Sequence, residues 1–594
     1  MMAVLREHWG SRIGFILASI GSAVGLGNIW RFNYLAYKWG GGTFILVYLF
    51  ALFTAALPIL VLEFGIGHRF RRVSPLAFRK VSKPLEVIGW IPAVQMIFLV
   101  SYYCVILAYT LNYLYFSLRL SWGSDTNDFF FNQFLHVSES PWKLGTVVPG
   151  IFLTLLIVWF LNWVVIARGL QKGMELFSKI LMPILVLLAV ILVIRGVTLP
   201  GASVGIGAYL TPDWGKLGQP GLWLDAYSQI FFSLSVGFGI MITFASFLPR
   251  RANLAGDALT VALANSGFSV FVGFASFGTL GYLAHTSGKQ LSEVVQSGIG
   301  LAFVVFPEAL SKLPLPQVFA VLFFLTLFIA GFTSSLSLVE AVTDTFWDKY
   351  RWVKRKVVTG LCLFAFIVGL LFITKSGLYL LDITDHFIST YVLLFVGAAE
   401  CVVIGWVYGI DRMIKHISAQ PGMSLRSIFG TIMTYVVPLI MVGIAYAVGH
   451  ISIQRAVSAL TAIGETRPFT WFVNVASAGW PALVIFAAAM FVFVWSLRAR
   501  EAEQFAVLIK YFIPAILIFV FYEGWFKEFQ AAYSDYPVGA LALFGGGFLL
   551  HIVVLGFLFA HSRGHPEVEA KLDAPESSLE VEAEPEALPP QPEV

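Results

Sequence analysis

The segment Gly21-Ser22-Ala23-Val24-Gly25-Leu26-Gly27-Asn28 decides the fold, because it places three glycines inside an apolar run near the start of the chain. Glycine is less favourable than alanine in a helix by about 1 kcal/mol, so the segment is predicted to interrupt a helix. A related segment, Leu234-Ser235-Val236-Gly237-Phe238-Gly239, follows in similarly apolar surroundings. Paired interruptions in the two halves of an apolar chain are typical of a transporter that binds its substrate at the breaks.

The composition predicts an all-α polytopic membrane protein. The chain has 594 residues, of which 58% are hydrophobic and 12% are charged, and its mean hydropathy is +0.83. Apolar runs recur between residues 13 and 561, and many exceed the ~20 residues that cross a bilayer as a helix. They are too long and too continuous for membrane β-strands, which alternate over ~10 residues. Cysteines and histidines show no metal-ligand spacing.

The apolar runs predict 12 to 14 transmembrane helices. Twelve spans are expected near 13–37, 42–67, 87–118, 146–166, 176–196, 222–247, 257–284, 315–346, 354–374, 385–410, 427–449 and 476–497, and two more candidates lie near 504–528 and 537–561.

Basic residues predict the orientation, because Lys and Arg collect in cytoplasmic loops. Every second predicted loop is basic, as in 69–83 and 349–356. Both termini are therefore expected in the cytoplasm and the protein in the plasma (cell inner) membrane. Residues 562–594 are acidic and rich in Pro and Ala, which predicts a disordered tail; the alternative is a regulatory or docking role.

The glycine segments allow two interpretations. Gly21 and Gly25 form a small-xxx-small pair, which often serves only close helix packing. Recurrence of the motif in the second half favours unwound backbone at a binding site instead. Freed N–H groups suit a carboxylate and freed carbonyls suit sodium. Neutral oxygens that could complete an ion site lie at Asn28, Ser233, Asn265, Thr333 and Ser334.

Charged residues within or next to spans are expensive and are usually functional. Arg31 and Asp385 are expected on the outer side of the membrane, and Arg6 and Asp348 on the inner side. Each pair is predicted to act as an ion-pair gate, and the alternative is that these residues anchor helix ends at the interface. The intramembrane carboxylates Glu63, Glu340 and Glu400 are expected to support unwound backbone rather than to couple protons.

From residue 6 to about 411 the chain resembles the neurotransmitter:sodium symporter family, which has the leucine-transporter fold. The resemblance is carried by Arg6-Glu7-His8-Trp9, Gly21 to Phe32, Gly40-Gly41-Gly42, Tyr102-Tyr103, Gln229-Ile230-Phe231-Phe232-Ser233 and Ala330-Gly331-Phe332-Thr333-Ser334-Ser335. It implies a five-span repeat over 1–196 and an inverted copy over 197–411, with spans 1 and 6 broken. Additional C-terminal spans occupy 412–561, and the tail occupies 562–594.

The resemblance also implies the binding residues. The first sodium site would use Ala23, Asn28, Ser233 and Asn265, and the second would use Gly21, Val24, Ala330, Thr333 and Ser334. The substrate would contact Ser22, Ala23, Gly25, Leu26, Gly27, Leu99, Tyr103, Phe232, Ser233, Ser235, Phe238, Ser334 and Leu338. Arg31 and Asp385 would form the outer gate, and Arg6 and Asp348, beside Trp9, the inner gate.

Two positions specify the substrate class and the anion. Gly25 stands where members that carry amines have an aspartate, so an amino-acid-like zwitterion is favoured. Ser269 stands where chloride-independent bacterial members tend to have an acidic residue. Ser269 completes, with Tyr48, Gln229, Ser233 and Asn265, the chloride-site pattern of chloride-dependent members, so the resemblance implies a chloride there. Two sodium ions in a dry site need a compensating negative charge, which a fixed carboxylate or a bound anion can supply.

Some positions depart from the family pattern. Asn33 replaces the usual proline, and Phe247 replaces the usual tyrosine of the inner gate. Residues 433–438 and 510–514 both resemble the start of the eleventh span. The loop after the third predicted span lacks a cysteine pair and a glycosylation sequon, which suggests a prokaryotic member.

The sequence therefore predicts a sodium-coupled, chloride-dependent symporter that imports a neutral amino acid or a related zwitterion by alternating access. The alternative is an amino-acid-binding membrane sensor without transport. No nucleophile, general base or metal motif predicts an enzyme. The expected partners are the zwitterionic substrate and the lipid bilayer, with no nucleic acid, and the protein is expected to be a monomer or a homodimer.

Overall fold

The computed structural model describes residues 7–295, 298–437, 440 and 501–573. Within these ranges the chain is almost entirely helical, and its only β-structure is two isolated bridges, Gly41–Pro212 and Val147–Thr374. The all-α prediction is confirmed.

The main helices up to residue 210 begin next to the N-terminal segment. They are α1 (Arg12–Ala23), α2 (Leu26–Lys38), α3 (Gly42–Phe70), α4 (Ser74–Val81), α5 (Lys83–Ser117), α6 (Pro149–Ile166), α7 (Leu170–Val197) and α8 (Ala202–Leu210).

The main helices after residue 210 are again long spans joined by short helices. They are α9 (Pro220–Ser233), α10 (Ile240–Ala245), α11 (Leu254–Ser287), α12 (Leu301–Ser311), α13 (Pro316–Tyr350), α14 (Lys354–Ile373), α15 (Gly377–Ser418), α16 (Leu425–Thr431), α17 (Glu503–Phe526), α18 (Val538–His561) and α19 (Pro566–Asp573).

Ten of the described helices are long and apolar enough to cross a membrane, and α1 with α2 passes the same test as a pair bent by 63°. The polytopic prediction is therefore confirmed. Helices α9 and α10 flank the second break. About half of the span predicted near 427–449, and all of the span near 476–497, lies outside the described residues, so the total of 12 to 14 stays a prediction.

Helix starts follow local sequence signals. Ser11 caps α1, because its hydroxyl oxygen accepts a hydrogen bond from the Gly14 N–H at 3.0 Å. Asn253 caps α11 in the same way through the Gly256 N–H at 3.1 Å. Such caps satisfy N–H groups that the first helical turn leaves without partners.

The last two long helices, α17 and α18, pack against helices α5, α9 and α15. In α17, Leu517 reaches the space beside Gly397 of α15, and Gly524 approaches Leu224 of α9. In α18, Phe548 makes an edge contact with Phe98 of α5, with ring centroids 5.2 Å apart. Residues 510–514, one of the two candidate starts of the eleventh span, thus lie within a helix that covers α9 and α15.

The beginning of the C-terminal tail differs from the predicted disorder. Helix α19 packs Val568 and Leu572, which are 2% and 7% exposed, against Val73 and Leu76 around α4. Arg79 of α4 donates hydrogen bonds to the Glu569 carboxylate. Burial alone would raise the pKa of Glu569, but hydrogen bonds from Arg79 and Gly564 lower it below its usual value.

The overall composition of this tail did not indicate that Val568 and Leu572, spaced i, i+4, lie on one face of a short helix. They pack residues 566–573 against α4, although the surrounding sequence is acidic and rich in proline. Residues 574–594 lie outside the described part.

Substituting Val568→Asp is expected to release α19 from α4, because it would bury an unpaired carboxylate. Burial of a valine contributes about 1.5–3 kcal/mol, so the undocked fraction should rise at least about tenfold. Limited trypsin digestion of the full chain would show faster cleavage after Lys571. Ala570→Asp introduces the same group at an exposed position of the same helix, and equal cleavage of the two variants would contradict the docking.

Candidate functional site

Two breaks in the helices define the site. Helix α1 ends at Ala23, Val24 is extended, and α2 begins at Leu26. Helix α9 ends at Ser233 and α10 begins at Ile240. Gly237 and Gly239 have φ of +78° and +74°, a left-handed conformation that glycine adopts without a steric penalty. Both interruptions predicted from the glycine segments are present.

The two breaks face each other and share hydrogen bonds. The Ser235 hydroxyl donates to the Ser22 carbonyl at 3.1 Å. The Gln229 amide donates to the Gly27 carbonyl at 3.1 Å. These bonds satisfy part of the backbone that the breaks expose in a dry environment. The remaining groups line a space between the breaks.

Glu63 of α3 supports the second break, as the sequence predicted. Its buried carboxylate accepts a hydrogen bond from the Gly237 N–H at 2.6 Å. Glu340 does not share this role, since its carboxylate instead accepts a hydrogen bond from Lys354 at 2.8 Å.

Substituting Glu63→Leu is expected to destabilise the protein and the second break, because the Gly237 N–H loses its buried acceptor. An unsatisfied buried group costs about 1–3 kcal/mol, so thermal unfolding should begin at a lower temperature. Glu63→Gln keeps a carbonyl oxygen at the same place and should retain most of the stability. Equal melting temperatures for the Leu and Gln variants would show that the hydrogen bond is unimportant.

Four polar side chains meet beside the first break, where the first sodium site and the chloride site were predicted. The Asn28 amide nitrogen lies 2.9 Å from Ser233 Oγ, 2.9 Å from Asn265 Oδ1 and 2.7 Å from Ser269 Oγ. All four residues are buried. The Asn28 amide oxygen accepts a hydrogen bond from the Gly25 N–H at 2.8 Å, so this residue links the cluster to the unwound backbone.

The other residues predicted for the chloride lie at the edge of this cluster. The Tyr48 hydroxyl donates to Ser266 Oγ at 3.2 Å. Gln229 is fully buried, and its side-chain oxygen has no hydrogen-bond partner among the described residues. Hydroxyl and amide groups can donate hydrogen bonds to an anion and can offer oxygen to a cation.

The predicted second sodium site is an array of oxygens between α1 and α13. Ser334 Oγ lies 3.3 Å from the Gly21 carbonyl, 3.4 Å from the Val24 carbonyl and 3.3 Å from the Ala330 carbonyl. The Thr333 hydroxyl donates to the Ala330 carbonyl at 3.0 Å. Carbonyl and hydroxyl oxygens are the ligand type that hard cations prefer. All five predicted residues are therefore brought together.

A small cavity lies between the two breaks. Its walls are Ser22, Ala23, Gly25, Gly27, Asn28, Leu99, Tyr103, Phe232, Ser233, Ser235, Phe238, Ile240, Ser334 and Leu338. Every predicted substrate residue except Leu26 lines it, and Leu26 contributes by donating its N–H to the Tyr103 hydroxyl at 3.3 Å. Ile240 was missed, because its place at the start of α10 depends on where the break ends.

The predicted outer pair does not form a direct contact in this conformation. Both residues are described, and no nitrogen of Arg31 lies within 4.0 Å of the Asp385 carboxylate. The Arg31 guanidinium instead lies 5.3 Å from the centre of the Phe232 ring. Asp385 accepts a hydrogen bond from the Tyr102 hydroxyl at 2.8 Å. The ring of Phe232 also covers Gly27, so it forms a lid over the cavity.

On the inner side, Arg6 lies outside the described residues, so its pairing with Asp348 stays a prediction. Asp348 is fully buried and accepts a hydrogen bond from Arg72 at 2.6 Å. Trp9 ties the N-terminal segment to the end of the sixth span, because its indole N–H donates to the Phe244 carbonyl at 2.9 Å.

Sequence reasoning missed a second charged cluster on this side. The Lys354 ammonium lies 2.6 Å from Glu7, 2.8 Å from Glu340 and 2.9 Å from Asp344. Three carboxylates therefore converge on one lysine. The spacing of Glu340 and Asp344, i and i+4, was visible in the sequence as a single acidic face of α13, but Glu7 joins them from a distant part of the chain.

Broken membrane helices around an oxygen-lined cavity define the class of the protein as a secondary transporter. The profile described as "Sodium:neurotransmitter symporter family" matches residues 6–129 and 121–456. The chain belongs to the sodium:neurotransmitter symporter family.

Relatives from distant organisms agree with this assignment. An uncharacterized sodium-dependent transporter of Methanocaldococcus jannaschii is 42% identical over 442 residues, which cover 74% of this chain and 90% of the relative. The human sodium- and chloride-dependent GABA transporter 2 is 33% identical over 70% of this chain and 75% of its own. The mouse sodium- and chloride-dependent neutral and basic amino acid transporter B(0+) is 34% identical, with the same coverage.

These findings confirm a membrane transporter of a sodium-dependent family, and they confirm that the protein is not an enzyme. The orientation of the termini, the prokaryotic origin and the oligomeric state stay predictions.

Proposed function

We propose that the protein is a symporter that moves a neutral amino acid or a related zwitterion into the cell with sodium and chloride. The halves 1–196 and 197–411 would act as inverted repeats that alternate access to the site. One observation carries the proposal: two arrays of neutral oxygens, at Asn28 and at Ser334, adjoin one cavity and share its unwound backbone.

The charge of the cavity supports a zwitterionic substrate. None of the residues that line it is acidic or basic. Gly25 leaves the place of a side-chain carboxylate empty, so the negative charge beside the first sodium site would come from the substrate. The N–H groups that begin α2 favour a carboxylate at that position. An amine without its own carboxylate would lack this partner.

The charge balance of the cluster at Asn28 supports chloride. Ser269 Oγ lies 2.7 Å from the Asn28 amide nitrogen, inside a buried group of neutral side chains. Two sodium ions in such surroundings would leave uncompensated positive charge, which is costly in a low dielectric. A chloride held by hydroxyl and amide groups would supply the missing negative charge.

Residues of this chain would carry out the transport cycle. Substrate and sodium from outside the cell would fill the breaks, and Phe232 and Tyr103 would close over the cavity. Release inward would then require Trp9 to leave the Phe244 carbonyl and Asp348 to leave Arg72.

With two sodium ions, one chloride and a zwitterion, net charge +1 enters the cell in each cycle. Each 100 mV then contributes ~2.3 kcal/mol, and each tenfold sodium gradient ~1.4 kcal/mol per ion.

Uptake into proteoliposomes tests the proposal. Purified protein would be screened for thermal stabilisation by amino acids in sodium chloride, and each stabilising amino acid would be assayed as a labelled substrate. We expect accumulation that needs an inward sodium gradient and increases with an inside-negative potential. Stabilisation and binding without flux, including no counterflow in sodium-loaded vesicles, would overturn symport and support a sensor.

A further inference from the structure

Two histidines meet where α3 and α15 end. His68 lies in the last turn of α3, and His416 lies in the last turn of α15. His68 Nδ1 is 2.9 Å from His416 Nε2, and the centroids of the two rings are 5.1 Å apart. The sequence could not show this pair, because 348 positions separate the two residues. The pair plays no part in the substrate cavity or in either predicted gate.

The second nitrogen of His68 fixes the positions of the protons in this pair. His68 Nε2 lies 2.9 Å from the Pro249 carbonyl, which only accepts hydrogen bonds, so Nε2 carries a hydrogen. The lone pair of the neutral ring is therefore on Nδ1, where it accepts the N–H of His416. A metal-ligating histidine is usually oriented in this way, because its other nitrogen donates to a carbonyl, a carboxylate or water.

The charges around the pair favour neutral rings. The guanidinium groups of Arg69 and Arg71 act electrostatically on the two imidazoles. Arg69 donates a hydrogen bond to the Tyr408 hydroxyl at 3.2 Å, and Arg71 donates one to the Leu248 carbonyl at 3.1 Å. Their positive charge opposes formation of an imidazolium, and only neutral imidazole ligates a metal. Nitrogen ligands in basic surroundings suit neither Mg²⁺ nor Ca²⁺, which prefer oxygen.

We propose that His68 and His416 form a zinc site that bridges α3 and α15. Zinc–nitrogen bonds of about 2.0–2.1 Å at a tetrahedral angle place two ligand nitrogens about 3.3 Å apart. The rings, now at 2.9 Å, would therefore separate by only about 0.4 Å. The hydrogen on His416 Nε2 would move to Nδ1 of the same ring, so both rings stay neutral. Among the described residues, no third histidine, cysteine or carboxylate lies within reach of both nitrogens, so water would complete the coordination.

The position of the site gives zinc a route in and an effect on transport. His68 is 4% exposed, but His416 is only half-buried, so zinc would enter from the side of His416. The predicted topology places this side in the cytoplasm. Helix α3 belongs to the first proposed repeat, and α15 is the last helix of the second. On the basis of the proposed symport, which requires the repeats to move relative to each other, bound zinc should slow uptake.

Zinc binding by the full chain tests the site without requiring transport. Purified protein in nanodiscs would be dialysed against radioactive Zn²⁺ with Mg²⁺ in excess. We expect His68→Gln and His416→Gln each to lower the affinity for zinc at least about tenfold. His416→Cys places another zinc ligand at the same position and should restore binding. Melting temperatures in EDTA would show that each variant is folded.

His561→Gln is the matched control. A ring nitrogen of His561 also lies 2.9 Å from a backbone carbonyl, that of Phe557, but its ring packs against the Phe557 side chain. This variant should bind zinc like the wild type. Unchanged zinc affinity in either His68→Gln or His416→Gln, or displacement of zinc by the excess Mg²⁺, would overturn the proposal.

Uptake separates failure of the zinc site from failure of the proposed function. In proteoliposomes with zinc on both sides, wild-type uptake should fall by more than half, and His68→Gln and His416→Gln should be insensitive to zinc. If the chain binds amino acids without flux, zinc binding is still expected, and that result would overturn symport alone. A chain that transports at the same rate with and without bound zinc would overturn the bridge between the helices.

Discussion

Substituting Gly25→Ala is expected to reduce sodium-driven amino-acid uptake at least about 100-fold. A Cβ at this position would lie 2.7 Å from Ser334 Oγ and 2.9 Å from the Tyr103 hydroxyl, both closer than real Cβ contacts allow. Neither hydroxyl can move without cost, since Ser334 belongs to the predicted second sodium site and Tyr103 accepts the Leu26 N–H. The methyl group would occupy the place of the substrate carboxylate.

The measurement is the initial rate of uptake into proteoliposomes, together with the melting temperature in sodium chloride with and without the amino acid. Gly267→Ala is the matched control. It lies on α11 between Asn265 and Ser269, and an added Cβ there meets no atom within 4 Å. It should transport normally and lose none of its stability. Uptake by Gly25→Ala above half of the wild-type rate would contradict the close approach at this position.

The sequence was sufficient to predict the breaks and the residues around them. Glycines at 237 and 239 indicate a left-handed backbone, and the length of an apolar run indicates a membrane span. Both features depend only on residues that are neighbours in the sequence. The resemblance then placed thirteen predicted substrate residues, of which only Leu26 does not line the cavity. The repeated motif was informative because the same physical requirement, unwound backbone at mid-membrane, occurs twice in one chain.

Features that depend on distant partners could not be read from the sequence. The ion pair of Arg31 and Asp385 was predicted from their positions. In the structure Arg31 lies against the Phe232 ring, and Asp385 accepts a hydrogen bond from Tyr102. The partner of each side chain depends on the conformation of the protein, which the sequence does not specify. The docking of α19 was hidden by an acidic composition. The cluster around Lys354 brings Glu7 to residues that lie more than 300 positions further along the chain.

Substituting Ser269→Glu is expected to make transport independent of chloride. Replacing chloride with gluconate should lower wild-type uptake at least about tenfold, because the buried cluster would hold sodium charge without compensation. A glutamate at 269 would place a fixed carboxylate beside Asn28 and Asn265 and supply that charge permanently. The variant should therefore transport equally in the two salts, and Ser269→Asp offers the same charge in less space.

Ser269→Gln separates charge from size, because glutamine has nearly the shape of glutamate and is neutral. This variant should transport poorly in both salts, since its side chain would fill the anion position without supplying a negative charge. Initial uptake rates would be measured at equal sodium concentration for the wild type and the three variants. If Ser269→Glu still needed chloride, or if the wild type transported equally in gluconate, the cluster at Asn28 would not be the place where sodium charge is balanced. If Ser269→Gln matched Ser269→Glu, volume rather than charge would explain the effect.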